Sequence, residues 1–232
     1  MPPTPTVDET VRQGRSRLYP SLRNPNWLVL RQRRAIFESG IGRLPEKNIC
    51  VLDVGGRLQP YRELLGTRIG RYVAVDLEFT PLVSAVASGE ALPFRDEQFD
   101  LVICTQVLEY FAEPQRAARE LWRVLRKDGF AFVSAPAIFL RDHENEYWRF
   151  LPRALRFLLR DFETVEVTAE GNSLVGLLRT LNVFVVSFAR PRALVPVLQW
   201  TIVPCLNSLG FLLEGFGTND AFAANFSVWA RK

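Results

Sequence analysis

Short apolar runs, each closed by glycine or an acid and each followed by a helical pattern, set the plan of this chain from residue 49 onward. NICVLDVGG has the continuous hydrophobicity of a strand buried on both faces, and it ends in a glycine turn. PYRELLGTR follows as a short helix and RYVAVDLE as a second strand ending in acid. FDLVICTQVLEY is a third apolar run. The helix EPQRAARELWRVLRKDG comes next, with its stop expected at Gly129. GFAFVSAP makes a fourth strand, LPRALRFLLRDF a helix, ETVEVTAEG a fifth strand and NFSVWARK a last one. Strands alternating with helices in this order build a doubly wound, mostly parallel α/β sheet.

Residues 1–25 are rich in Pro, Thr and Arg and lack apolar periodicity, so they are expected to form a loose basic arm. From Asn26 to Arg43, Trp27, Leu28, Leu30, Ile36 and Phe37 interleave with arginines, as in a helix with one covered face. Residues 26–232 are expected to be a single domain carrying this helical cap, with an apolar helical insertion at 171–221. With 48% hydrophobic and 23% charged residues, global disorder and disulfide scaffolds are excluded. Three scattered cysteines (Cys50, Cys104, Cys205) and one histidine, His143, provide no metal cage. Cysteine usage and an opening without an apolar targeting core imply a reducing, cytoplasmic compartment.

An open parallel sheet binds ligands beyond the carboxyl ends of its strands. The first strand delivers Asp53, Gly55 and Gly56 to that edge, where glycine permits a positive-φ turn and close ligand approach. The second ends at Asp76, whose two carboxylate oxygens suit the adjacent hydroxyls of a ribose. Taken alone, a glycine turn and an acid serve nucleotide and dinucleotide binders alike.

The longer string VLDVGG, YVAVDLE, GEALPFRDEQFDLVICTQVLEY and ELWRVLRKDGFAFVSAP resembles the class I S-adenosylmethionine-dependent methyltransferases, with its segments in the right order from residue 50 to 136. PYREL and DHENEYWRFLPRALRFLL are similar to a bacterial small-molecule, glycan-associated group within the type 11 methyltransferases. The resemblance implies a seven-stranded Rossmann-like sheet with an antiparallel last strand, and S-adenosyl-L-methionine as cofactor. It also implies roles. Asp53, Gly55 and Gly56 would surround the methionine part of the cofactor, Asp76 would hold the ribose, and Leu77 would lie beside the adenine. Ser88, Gly89 and Glu90 would border the adenine edge, while Thr105 and Gln106 would face the methyl group. Two positions depart from the family pattern. Arg57 replaces a glycine where φ > 0 and crowding are expected to matter, and Ser88 replaces the usual acid.

Methyl transfer to oxygen usually needs a general base. His143, in the loop RDHENEYWRF after the fourth strand, is the catalytic candidate, with Asp142, Glu144 and Glu146 nearby. Glu109 and Tyr110 are candidates for acceptor contact, and Tyr147, Trp148 and Arg149 either line the acceptor's mouth or pack the loop. No metal is expected. The acceptor class is a small molecule or a glycan- or lipid-linked envelope precursor, and the alternative is a degenerate, non-catalytic binding protein.

Ala193–Leu213 is an uncharged stretch of 21 residues, and no acid occurs in 171–213, where Arg179, Arg190 and Arg192 are the only charges. A membrane span is rejected because it would part the last strand from its sheet. Either the insertion is a pair of buried helices, or 171–213 is an interfacial surface touching the inner face of a membrane. The net charge of +4, carried mostly by arginine, brings no aromatic-basic platform with it, so nucleic acid is not an expected partner. VGGRLQ also lacks the three-glycine dinucleotide fingerprint.

Overall fold

The computed structural model describes residues 5–141 and 144–232. Its sheet comprises β1 (Ile49–Val54), β2 (Ile69–Asp76), β3 (Ala85–Val86), β4 (Phe99–Thr105), β5 (Leu125–Pro136), β6 (Thr164–Ala169) and β7 (Asn225–Arg231). Their spatial order is β3-β2-β1-β4-β5-β7-β6. β1 runs parallel to β2 and β4, β4 runs parallel to β5, and β7 lies antiparallel between β5 and β6. The doubly wound fold expected from the sequence is therefore present, with the antiparallel strand in its expected place at the C-terminus. β3 is a two-residue strand that the apolar runs did not reveal.

Burial follows the pleat. Val51 and Ile103 point to one face with Phe37, Phe132 and Trp229, while Leu52, Val102 and Cys104 point to the other with Leu121 and Leu155. β1 and β4 are thus covered on both sides, which is why they read as continuous apolar runs.

The helices are α1 (Val7–Leu18), α2 (Trp27–Ile41), α3 (Arg62–Leu65), α4 (Pro114–Val124), α5 (Pro152–Leu158), α6 (Ser173–Phe188), α7 (Leu194–Trp200) and α8 (Ile202–Leu213). Three expectations need correction. Residues 7–18 are not a loose arm but a helix, started by a capping box in which Thr6 accepts from Glu9 N–H and Glu9 accepts from Thr6 N–H. Its buried face, Thr10, Gly14 and Leu18, docks on the loop after β1: a Cβ on Gly14 would stand 2.2 Å from the Leu58 carbonyl oxygen. α4 stops at Val124 rather than at Gly129, because Leu125 turns extended and pairs with Phe99. The insertion is not a pair of buried helices: α7 has no buried residue, and only Val203, Asn207 and Gly210 are buried in α8. The helical run breaks at Thr201, and the chain returns from it to β7 in the same sheet it left.

Candidate active site

Four adjacent strands deliver the sequence-selected residues to one edge. Asp53, Gly55 and Gly56 lie at the end of β1, with Asp76 and Leu77 at the end of β2. Ser88, Gly89 and Glu90 follow β3, and Thr105 and Gln106 close β4. The glycine turn is tied to its neighbour by two bonds, since the N–H groups of Gly55 and Gly56 both donate to the Val75 carbonyl, at 2.8 and 3.1 Å.

Gly55 has φ +75°, and a Cβ there would meet Val107 Cγ2 at 2.2 Å. Only glycine satisfies both the dihedral and the space. Gly55→Ala should therefore cost about 2 kcal/mol of stability, from the strain of a positive-φ alanine and the displaced Val107. Urea denaturation measures it, and an unchanged midpoint would refute the geometry.

Arg57 departs from expectation. Its φ is not among the positive ones, so no strain attaches to a side chain there, and the guanidinium turns outward to pair with Glu78. The positive φ falls instead on Gly55 and Gln59. The positive-φ turn expected of the glycines is at Gly55, and only the concern about Arg57 is overturned.

Asp53 is buried and accepts a 2.7 Å hydrogen bond from the Tyr72 hydroxyl. Burial pushes its carboxyl pKa up to about 7; the Tyr72 hydrogen bond opposes this and Asp76 adds to it. Asp76 Oδ1 accepts from the Glu78 N–H at 2.9 Å, and no described residue bonds to Oδ2. Leu77 is 70% exposed and presents an apolar face beside it. Ser88 Oγ accepts from the Glu90 N–H at 3.2 Å. Glu90 Oε1 accepts from the Glu113 N–H at 2.7 Å, so this carboxylate fixes the start of α4 while bordering the edge. Gly89 is closely packed, with Phe111 and Val54 both within 3 Å of any Cβ added there. Gln106 has φ +56° and its N–H donates to the Ser134 carbonyl at 2.8 Å, a strained non-glycine residue at the mouth of the sheet.

The acceptor side lies beyond β4 and β5. His143 and Asp142 fall outside the described residues. Glu109 occupies a single 3-10 turn, Leu108–Tyr110, and is 3% exposed; its Oε2 has no hydrogen-bond partner among the described residues. Burial pushes its carboxyl pKa up to about 7 against the lowering by its own backbone N–H, Arg33 and Arg149. The Glu109 carbonyl accepts from the N–H groups of Tyr147 and Trp148, at 2.8 and 3.3 Å, and the Trp148 indole donates to the Phe111 carbonyl at 2.8 Å. Tyr147 and Trp148 thus pin the loop to this turn, although the Tyr147 side chain stays 63% exposed, while Arg149 ties the loop to itself through the Leu140 and Trp148 carbonyls and Glu146. Cys104 is core, and burial raises its thiol pKa.

Arg17 was not singled out by sequence. It lies three residues after Gly14, on the side of α1 that meets the glycine loop. It keeps accessible surface, yet protein surrounds it closely enough that burial lowers its guanidinium pKa, with Arg57 and Arg33 adding to the effect.

These residues fit a nucleoside bearing an amino acid. A turn too tight for any Cβ, a buried carboxylate at the first strand and a free carboxylate oxygen at the second are what such a ligand requires. Comparisons with known proteins agree. Residues 52–133 match the family model described as a methyltransferase domain. An uncharacterized methyltransferase of Mycolicibacterium gilvum is 32% identical over 100 residues, covering 38% of this chain and 39% of the relative. Overall, the chain spans about two fifths of the length of the curated relatives it matches. The fold is shared with the solved 1,6-didemethyltoxoflavin-N1-methyltransferase of Burkholderia thailandensis, which holds S-adenosylhomocysteine; identity is 17%, TM-score 0.54, with 96% of this chain and 84% of that one covered. It is also shared with the [4+2]-cyclase SpnF, at 17% identity and TM-score 0.55, covering 100% and 98%. One fold therefore hosts more than one chemistry, and the reaction has to be argued from the site.

Proposed function

We propose that this chain, which carries a class I S-adenosylmethionine-dependent methyltransferase domain, moves a methyl group from that cofactor to a small molecule or a glycan- or lipid-linked envelope precursor. The observation that carries the reading is the joint placement of Asp53, the Gly55–Gly56 turn and Asp76 on adjacent strand ends. When bound, the cofactor supplies the methyl as an electrophile on sulfonium, which leaves the protein to position and to handle charge. Asp76 takes the ribose hydroxyls and Asp53 the amino group, while Leu77 with Ser88 to Glu90 borders the adenine. Thr105 and Gln106 hold the acceptor side of the methyl. The acceptor's proton leaves to His143 or Glu109; the latter has a carboxyl pKa of about 7, suited to accepting a proton at neutral pH. The alternative of a degenerate binding protein rests on Arg57 and Ser88, and of these Arg57 carries no backbone strain.

The direct test is calorimetric titration with S-adenosylhomocysteine. Wild type should bind, and Asp76→Ala should bind at least tenfold more weakly through loss of charge-assisted hydrogen bonds. Equal affinity in the variant would remove Asp76 from the site, and no binding by wild type would end the methyl-transfer reading.

A further inference from the structure

α6 is built inside out. Its buried face carries Arg179 and Asn182 beside Val175, Gly176 and Val183, whereas Leu174, Leu177, Leu181, Phe184 and Phe188 are 39–55% exposed. Those five recur at spacings of three and four, which makes one continuous apolar stripe facing outward. α8 repeats the inversion. It buries Asn207 and Gly210 and exposes Leu209 and Leu212, the latter 68% exposed.

The buried polar groups hold the helices down. Asn182 donates to Asn207 Oδ1 at 2.9 Å, and Asn207 donates to the carbonyls of Leu22 and Asn24 at 2.7 and 3.0 Å. Arg179 donates to Asn26 Oδ1 at 3.0 Å and to the Ile138 carbonyl at 3.1 Å, with its guanidinium 4.4 Å from the Phe139 ring centroid. The apolar surface is thus held outward by specific bonds. Within Leu194–Leu213 only Val203, Asn207 and Gly210 are buried. Exposed apolar area on this scale marks a contact with something other than water.

Charge selects the occupant. No acid occurs between Gly171 and Leu213, while Arg190 and Arg192 stand at the turn between α6 and α7. Their hydrogen bonds go to backbone carbonyls, and no described carboxylate pairs with either. Arg23 lies over the Trp200 ring, 3.9 Å from its centroid, and Trp200 is 67% exposed. A second copy docked on this face would bring the same acid-free segment with its own Arg190 and Arg192, so neither copy's residues 171–213 supply a carboxylate to pair with them. Anionic lipid answers Arg190 and Arg192, and an aromatic residue beside arginine, as Trp200 is beside Arg23, suits the headgroup level.

We propose that α6, α7 and α8 form a face that lies in the surface of an anionic bilayer. Arg179, on the inner side of α6, joins this layer to Ile138 and Phe139, just past the end of β5, so the helices that carry the face adjoin the acceptor edge. Bound this way, the chain meets an acceptor whose apolar anchor is in the membrane, an extension that rests on the methyl-transfer reading.

Flotation of the whole chain with vesicles of phosphatidylcholine, with and without about 30 mol% phosphatidylglycerol, tests the surface. Wild type should float with the anionic vesicles and only weakly with neutral ones. Phe184→Glu with Trp200→Glu should cut binding at least tenfold. Arg190→Ala and Arg192→Ala should each cut it about five-fold. Quenching of tryptophan fluorescence by brominated lipid should fall in Trp200→Phe. These positions are exposed, and retained circular dichroism with retained S-adenosylhomocysteine binding verifies folding. Absence of wild type from anionic vesicles at low salt overturns the proposal. So does a dimer in sedimentation velocity that Trp200→Glu dissociates, which would assign the face to a second copy. Vesicle binding without S-adenosylhomocysteine binding would keep the surface and discard the methyl-transfer reading; the reverse pattern would do the opposite.

Discussion

Arg33→Met should destabilise the fold by about 3–5 kcal/mol, more than any single substitution on the exposed helices. Arg33 sits on α2 and donates from Nε and an amino nitrogen to the two oxygens of Glu170, at 2.7 and 2.9 Å. Glu170 has no exposed surface and also accepts from Ser227 Oγ at 2.7 Å and Asn225 Nδ2 at 3.2 Å. Burial pushes the Arg33 guanidinium pKa down, but the adjacent Glu170 carboxylate more than reverses this and leaves it raised. The pair stays charged because each partner supplies what water would have given the other. Removing only the arginine leaves a buried carboxylate with two neutral donors, and that uncompensated charge is the source of the cost. The double variant Arg33→Met, Glu170→Leu should recover most of the loss in urea denaturation. A loss below about 1 kcal/mol for Arg33→Met alone would mean that Glu170 rehydrates or protonates cheaply.

This pair also shows why the fold was more legible than its internal chemistry. β1, β2, β4 and β5 are local apolar runs, and the sheet order follows once they alternate with helices. Arg33 and Glu170 lie 137 residues apart, and no local pattern marks one as the partner of the other. The α1 start was visible in principle, since Thr6 and Glu9 have capping-box spacing, but arginine and proline around them obscured it. In α6 the 3–4 periodicity of Leu174 to Phe188 is plain, yet periodicity gives a stripe without saying whether it faces core or solvent. Asp53, Gly55, Gly56 and Asp76 could be placed from sequence because they end recognisable strands. Glu109 is different: sequence marks it for acceptor contact, but its burial and an oxygen without a partner among the described residues, which suit it to accept a proton, appear only in three dimensions.

The apo protein should lose stability as pH rises from about 4 to about 7, and Asp53→Asn should remove much of that slope. Asp53 titrates near 3.8 when unfolded and about 7 when folded, the rise coming first from burial, less the Tyr72 hydrogen bond, plus Asp76. Between those values the folded state binds more protons than the unfolded one, so raising pH favours unfolding. The stabilisation is complete below about pH 4 and gone once pH passes the folded value. Its size is on the order of 4 kcal/mol for a shift of this extent. Glu109, raised from 4.5 to about 7 mainly by burial, acts in the same direction and window, whereas Glu120, lowered first by its Arg123 hydrogen bond, acts against it below the ordinary glutamate range. Asparagine at 53 can still accept from the Tyr72 hydroxyl, so the variant should be more stable than wild type at pH 8 and little changed at pH 4. The same charge that costs stability serves binding: an amino group beside Asp53 favours the carboxylate, so S-adenosylhomocysteine affinity should rise with pH through about 7 and proton release should accompany binding below it. In Asp53→Asn both effects should disappear together. Denaturation midpoints at pH 4, 6 and 8 and calorimetry in two buffers of different ionisation enthalpy measure them. A wild-type midpoint that is flat across this range would show that Asp53 stays ionised at the end of β1, and its burial would then have to be relieved by water reaching the glycine turn.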